Sequence, residues 1–163
     1  VTKTDKQVIN SNTFSYDIED EGSRIRDFTL NITPSSTSSK IFLMINLFVA
    51  GSNDAYIQGL VKKRIGETAT TLVANTGVGN ATNLSFGINT TNVYNIYDNL
   101  LFPIGFRYLD TPNTTEEISY YIQIRNRFTG GISNSLIYIN SPELEAWSQP
   151  SSISTITAFE IAS

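Results

Sequence analysis

Apolar and polar positions alternate with a period of two through most of this chain, and residues that favour turns break the alternation at short intervals. Phe28-Thr-Leu-Asn-Ile-Thr33 alternates cleanly and predicts a half-buried strand, ended by Pro34 and the run Ser35–Ser39. Ile41 to Val49 is the most apolar stretch. Ile41, Leu43, Ile45, Leu47 and Val49 fall on one face, and Phe42, Met44, Asn46 and Phe48 on the other. Both faces are largely apolar, so both are expected to be covered. The second cover is either a neighbouring subunit or the N-terminal segment; a strand in the middle of a large core is the alternative.

Further strands are expected over 55–64, 68–74, 82–88 and 100–109. Phe106 to Arg125 then reads as strand, turn, strand, with the turn marked by Asp110, Pro112 and Asn113. Pro112 fixes φ, and Asp110 or Asn113 is expected to bond nearby backbone groups. Beyond it, Ile118, Tyr120, Ile122 and Ile124 oppose Ser119, Tyr121, Gln123 and Arg125, the clearest amphipathic strand in the chain. A short strand over 136–139, one helical turn from Ser141 to Trp147 and a last strand over 153–161 complete the pattern. Eight or nine short strands with no sustained helical period predict an all-β protein, a β-sandwich or jelly roll. Residues 1–26 are polar and weakly patterned and read as an N-terminal arm, ordered on docking, ahead of one β domain over 27–163.

Composition narrows the chemistry. The 163 residues suit one domain, and only 16% of them are charged. The net charge of −4 argues against a nucleic-acid partner, which needs a basic face. The one basic run, Lys62-Lys63-Arg64, reads as a solvated strand end before a turn at Gly66. There is no Cys and no His, which removes disulfides, thiol nucleophiles, His-based triads and the usual zinc ligands. The longest apolar run is far short of the ~20 residues that span a bilayer, so no membrane insertion is expected.

Nothing in the residues singles out a catalytic centre, a metal or a cofactor. In the acidic cluster Asp17 to Gly22, the closing ligand of a calcium loop would fall on Phe28, so a solvated loop is the reading. Gly77-x-Gly79 is not followed by a helical pattern and does not read as a phosphate loop. The adjacent carboxylates Glu116 and Glu117 would point to opposite faces of a strand. Five Asn-x-Ser/Thr sites, at Asn31, Asn80, Asn83, Asn89 and Asn113, are at the level chance allows in so Asn- and Thr-rich a chain.

Four segments, in order, resemble a family of virion proteins of tailed phages from marine and aquatic bacteria, cyanophages among them. They are Leu30-Asn-Ile-Thr-Pro-Ser-Ser-Thr-Ser-Ser-Lys-Ile41, then Tyr108-Leu-Asp-Thr-Pro-Asn-Thr-Thr115 with Ile118-Ser-Tyr120, then Tyr138-Ile-Asn140, then Ser154-Thr-Ile-Thr-Ala-Phe-Glu-Ile161. The resemblance covers Leu30 to the C-terminus and weakens between Gly51 and Leu100. It implies a jelly roll similar to tumour-necrosis-factor-like and C1q-like domains, which trimerise, and it carries no catalytic residues. The expected role is that of a non-enzymatic structural protein of the virion: the trimeric head of a tail fibre or spike, or else a capsid decoration, knob or head-fibre protein docked by the N-terminal arm. A carbohydrate-active enzyme or lectin is the third reading. The expected partners are further copies of the chain, other virion proteins, and a host-surface glycan or protein. Subunit contacts are expected at Phe42, Met44, Phe48 and Phe159, and receptor contacts at the loop residues Asn75, Asn80, Asn89, Asn92, Tyr94 and Tyr97.

Overall fold

A computed structural model describes residues 1–11, 23–51, 56–72, 84–89, 101–127, 136–141 and 151–162. These residues hold eleven strands and no helix. In chain order the strands are β1 (Thr2–Lys3), β2 (Gln7–Ile9), β3 (Leu30–Ile32), β4 (Lys40–Gly51), β5 (Tyr56–Ile65), β6 (Thr68–Leu72), β7 (Phe86–Asn89), β8 (Phe102–Asp110), β9 (Ile118–Asn126), β10 (Ile137–Ile139) and β11 (Ser154–Ile161). All nine stretches expected to be strands are present. The helical turn expected from Ser141 lies almost wholly outside the described residues, as do the Asp17–Gly22 cluster and Trp147.

Two antiparallel sheets share one core. In sheet I, β4 is central: β8 pairs along one edge, and β11 and then β10 pair end to end along the other, with β1 beyond β11 and β2 beyond β10. Sheet II repeats the plan around β5, with β9 and then β3 on one side and β6 and β7 end to end on the other. A long strand flanked by two short ones leaves a gap in the ladder where one partner gives way to the next. An unpaired buried N–H there would be costly. A serine hydroxyl fills each gap: the Phe48 N–H donates to Ser154 Oγ at 3.1 Å, and the Val61 N–H donates to Ser85 Oγ at 2.9 Å. Asn140, held at φ 64°, reinforces the first junction by donating from Nδ2 to the Lys3 carbonyl and accepting from Ser154.

The core follows the period-two pattern. Ile41, Leu43, Ile45, Leu47 and Val49 of β4 face Ile57 and Val61 of β5 and Ile118, Tyr120, Ile122 and Ile124 of β9, and all are buried. Phe28 and Ile25 close the same cluster.

The first eleven residues depart from the expected arm. β1 and β2 are strands of sheet I, Ile9 belongs to the core, and the Val1 ammonium donates to the Ile156 carbonyl at 2.7 Å. Lys3 is buried, and its ammonium pairs with Asp5, which holds the Asp5 carboxyl below the usual carboxylate range. Strands of two and three residues are too short to show a periodicity, so their pairing was invisible in the pattern.

Candidate functional surfaces

Three features stand out: a polar clamp between the sheets, the outer face of sheet I and the outer face of sheet II. The clamp centres on Asp110, the last residue of β8 and 4% exposed. Lys63 Nζ donates to Asp110 Oδ1 at 2.9 Å, and the Tyr120 hydroxyl donates to Oδ2 at 2.8 Å. Lys63 and Tyr120 sit directly opposite each other in the β5–β9 ladder, so one carboxylate from sheet I bridges a cross-strand pair of sheet II. The expectation that Asp110 serves nearby backbone groups is thus corrected: its side chain spans the sandwich. Asn113 adopts φ 55°, as the turn requires.

Burial, reinforced by the Asp110 carboxylate, drives the Tyr120 phenol far above its ordinary value of 10.0. The folded value lies above the unfolded one, so the neutral phenol is the form that folding favours. Its contribution is complete below pH 10.0 and is lost as pH rises beyond it toward the folded value. Denaturant titrations at stepped alkaline pH should therefore show stability falling beyond that point, with a shallower fall in Tyr120→Phe. An unchanged slope in the variant would reject the assignment.

On sheet I, Phe42, Met44, Asn46 and Phe48 point away from the core, and β8 and β11 extend their rows. Leu109, Phe42 and Phe159 lie side by side, Arg107 and Thr157 flank Met44, and Pro103 lies beside Phe48. Phe159 is 52% exposed, and Leu109 and Ile161 are each 46% exposed. Phe42, Met44 and Phe48 are half-buried. The expectation that this face of the strand is covered is therefore not met within the described chain. Of the N-terminal segment 1–26, one of the two expected covers, Thr2–Lys3 and Gln7–Ile9 pair edge-on in sheet I instead of lying across it. The four residues expected at a subunit contact do converge on one surface.

Sheet II reverses the expectation for its central strands. The alternation in β9 is as read, with Ile118, Tyr120, Ile122 and Ile124 inward. Yet the outward Tyr121 and Gln123 are also buried, as are Gln58 and Leu60 beside them on β5. Arg24 forms an isolated bridge with Gln123 and lies over the Tyr121 ring, 4.9 Å from its centroid. The basic run splits here: Lys63 turns inward to Asp110, while Lys62 and Arg64 stay on the outer face. A run of three charges on a strand must divide in this way because neighbours point to opposite faces.

Of the expected receptor-contact residues, Asn75, Asn80, Asn92, Tyr94 and Tyr97 lie outside the described residues, and Asn89 ends β7, paired in register with Tyr56. Glu116 and Glu117 are exposed ahead of β9. Among the described residues no group of three acidic side chains is placed to hold a metal. Neither a known protein-family model nor a curated protein matches this sequence.

Proposed function

We propose that the chain is a non-enzymatic virion structural protein of a tailed phage, a homotrimeric head of a tail fibre or spike that contacts the host surface. The single observation that carries this reading is the apolar outer face of sheet I. Phe42, Leu109, Phe159 and Ile161 form a patch of large apolar side chains that Met44 extends, with Phe48 beyond the polar row of Asn46 and Thr155, on a chain whose own described residues leave it open. Contiguous apolar surface of this kind marks association sites in soluble proteins. The face is a better candidate than the β8 edge, because Pro103 removes a backbone donor there and Arg107 adds a charge, both of which discourage strand addition.

The four-segment resemblance supplies the rest of the reading: a jelly roll of the tumour-necrosis-factor-like or C1q-like kind, in which sheet faces meet about a threefold axis. Three weak host contacts on one rigid head would then act together. A capsid protein docked by residues 1–26 has less support, since Thr2–Lys3 and Gln7–Ile9 of that segment are strands of sheet I.

Light scattering coupled to size-exclusion chromatography tests the assembly. The expected mass is that of a trimer at micromolar concentration, falling to a monomer in Phe42→Asp/Phe159→Asp with the circular dichroism of the strands retained. A monomeric native chain would overturn the proposal, as would a double variant that stays trimeric. Antibody labelling of intact particles in the electron microscope tests the virion assignment; the label is expected at fibre tips.

A further inference from the structure

The apolar outer surface of sheet I falls into two parts. Phe42, Leu109, Phe159 and Ile161 lie toward one end, with Met44 next to them, and Phe48 lies toward the other. Between the two a polar row crosses the sheet: Gly105 of β8, Asn46 of β4, Thr155 of β11 and Thr2 of β1. Each is the register partner of the next, so all four belong to the same face.

Asn46 carries the largest polar group of this row, and it is exposed. Among the described residues its amide makes one hydrogen bond, from Nδ2 to Thr155 Oγ1, long at 3.5 Å. An amide has two N–H donors and an oxygen that accepts twice, so most of its capacity is left for groups outside the chain. On the β8 side Gly105 has no side chain, and a β-carbon placed there would meet nothing within 4 Å. The amide is uncovered on that side.

We infer that Asn46, with Thr155, sets the register in which copies of this chain meet through sheet I, and so limits the assembly to one closed form. The inference rests on the trimer proposed above and says what aligns it. Apolar contact alone is non-directional and tolerates sliding. Same-face rows along β4 are two residues apart, about 7 Å at roughly 3.4 Å per residue. A slip of one row would lay Asn46 of one copy against Met44 or Phe48 of the next, and would bury an amide that carbon cannot satisfy. About a threefold axis, each residue of one copy lies level with the same residue of the others. With β4 running along that axis, the three polar rows meet as one layer, and their amides and hydroxyls bond across it. A slipped contact breaks the layer, and a head-to-tail contact that does not close grows into a filament. A single buried Asn fixes register and copy number in coiled coils on the same principle, at a cost in stability.

Size-exclusion chromatography with light scattering over a dilution series tests it, with circular dichroism to confirm that each variant keeps its strands. The native chain should give one mass, that of a trimer. Asn46→Leu should dissociate at concentrations about tenfold lower, because no amide then has to be satisfied, yet should elute as several masses. Asn46→Thr, which keeps a hydroxyl in the row, should remain a single trimer. So should Met44→Leu, an apolar exchange one row away. A single trimer of unchanged affinity in Asn46→Leu would overturn the inference and leave the trimer standing. Collapse of Asn46→Leu to a monomer would also overturn it, as would mixed masses in Met44→Leu. A native chain that stays monomeric throughout the series would overturn the trimer itself, and the inference with it.

Discussion

Replacing Asp110 by alanine is expected to destabilise the protein by about 3 kcal/mol, the low end of the range for breaking a buried ion pair. The change strands two donors at once, the Lys63 ammonium and the Tyr120 hydroxyl, both aimed at the missing carboxylate. Tyr120 is fully buried and has no route to water. The Lys63 side chain is 15% exposed and can recover part of its hydration, which places the loss at the low end. For a chain of this length the melting temperature should drop by roughly 6–12 °C. Asp110→Asn should fall between, because it keeps an acceptor for Tyr120 and loses the charge. The triple change Lys63→Met/Asp110→Leu/Tyr120→Phe should recover most of the loss, since a well-packed apolar set often matches a buried polar one. Guanidinium titrations of the four proteins would decide it. A single Asp110→Ala loss below about 1 kcal/mol, the scale of an ordinary exposed pair, would show that the clamp contributes little.

Gly59→Ala is expected to cost about 2 kcal/mol, in the range for overpacking a filled core. Gly59 sits in β5 directly opposite Phe86 of β7, and a β-carbon on Gly59 would fall within the Phe86 ring. The glycine leaves a bare stretch of backbone, and the neighbouring aromatic side chain covers it, a device that protects strand glycines. Phe86 has little freedom to yield. It packs against the core, and the adjoining Ser85 is fixed by its N–H to the Gly59 carbonyl and by its hydroxyl to Val61 and Leu72. The same denaturant titration should show the loss, and Gly59→Ala/Phe86→Val should restore part of it by making room. If alanine were tolerated without loss, the ring would not be seated on Gly59 in solution.

These two sites differ in how far the sequence reveals them. Gly59 appears in the pattern only as an inward position of a strand; that Phe86 lies opposite follows from register across an intervening loop, which no local signal specifies. Asp110 was legible as a turn marker, because Pro112 and Asn113 flank it. Its partners were not, since Lys63 is 47 residues away and Tyr120 lies on the facing sheet. The outer face of sheet I was more accessible. Phe42, Met44 and Phe48 stand out as apolar residues on the second face of one strand, and Phe159 follows from the alternation of the last. The outer face of sheet II was not legible, because Arg24 and Tyr121, which meet there, come from separate parts of the chain.

The chain's own residues determined the nine strands that show a readable pattern, their inward faces and the all-β class. Period-two alternation and turn residues act over a few positions, so they are written locally. Tertiary structure decided the rest. It paired Thr2–Lys3 and Gln7–Ile9 into sheet I, where so short a pair of strands carries too little pattern to declare itself. It sent Lys63 to Asp110 while leaving Lys62 and Arg64 on the surface, and it buried Tyr121 and Gln123 on a face that alternation alone marked as open. Each of these outcomes depends on which distant segment lies alongside or across, and that is set by register and sheet packing, which no short stretch of residues contains.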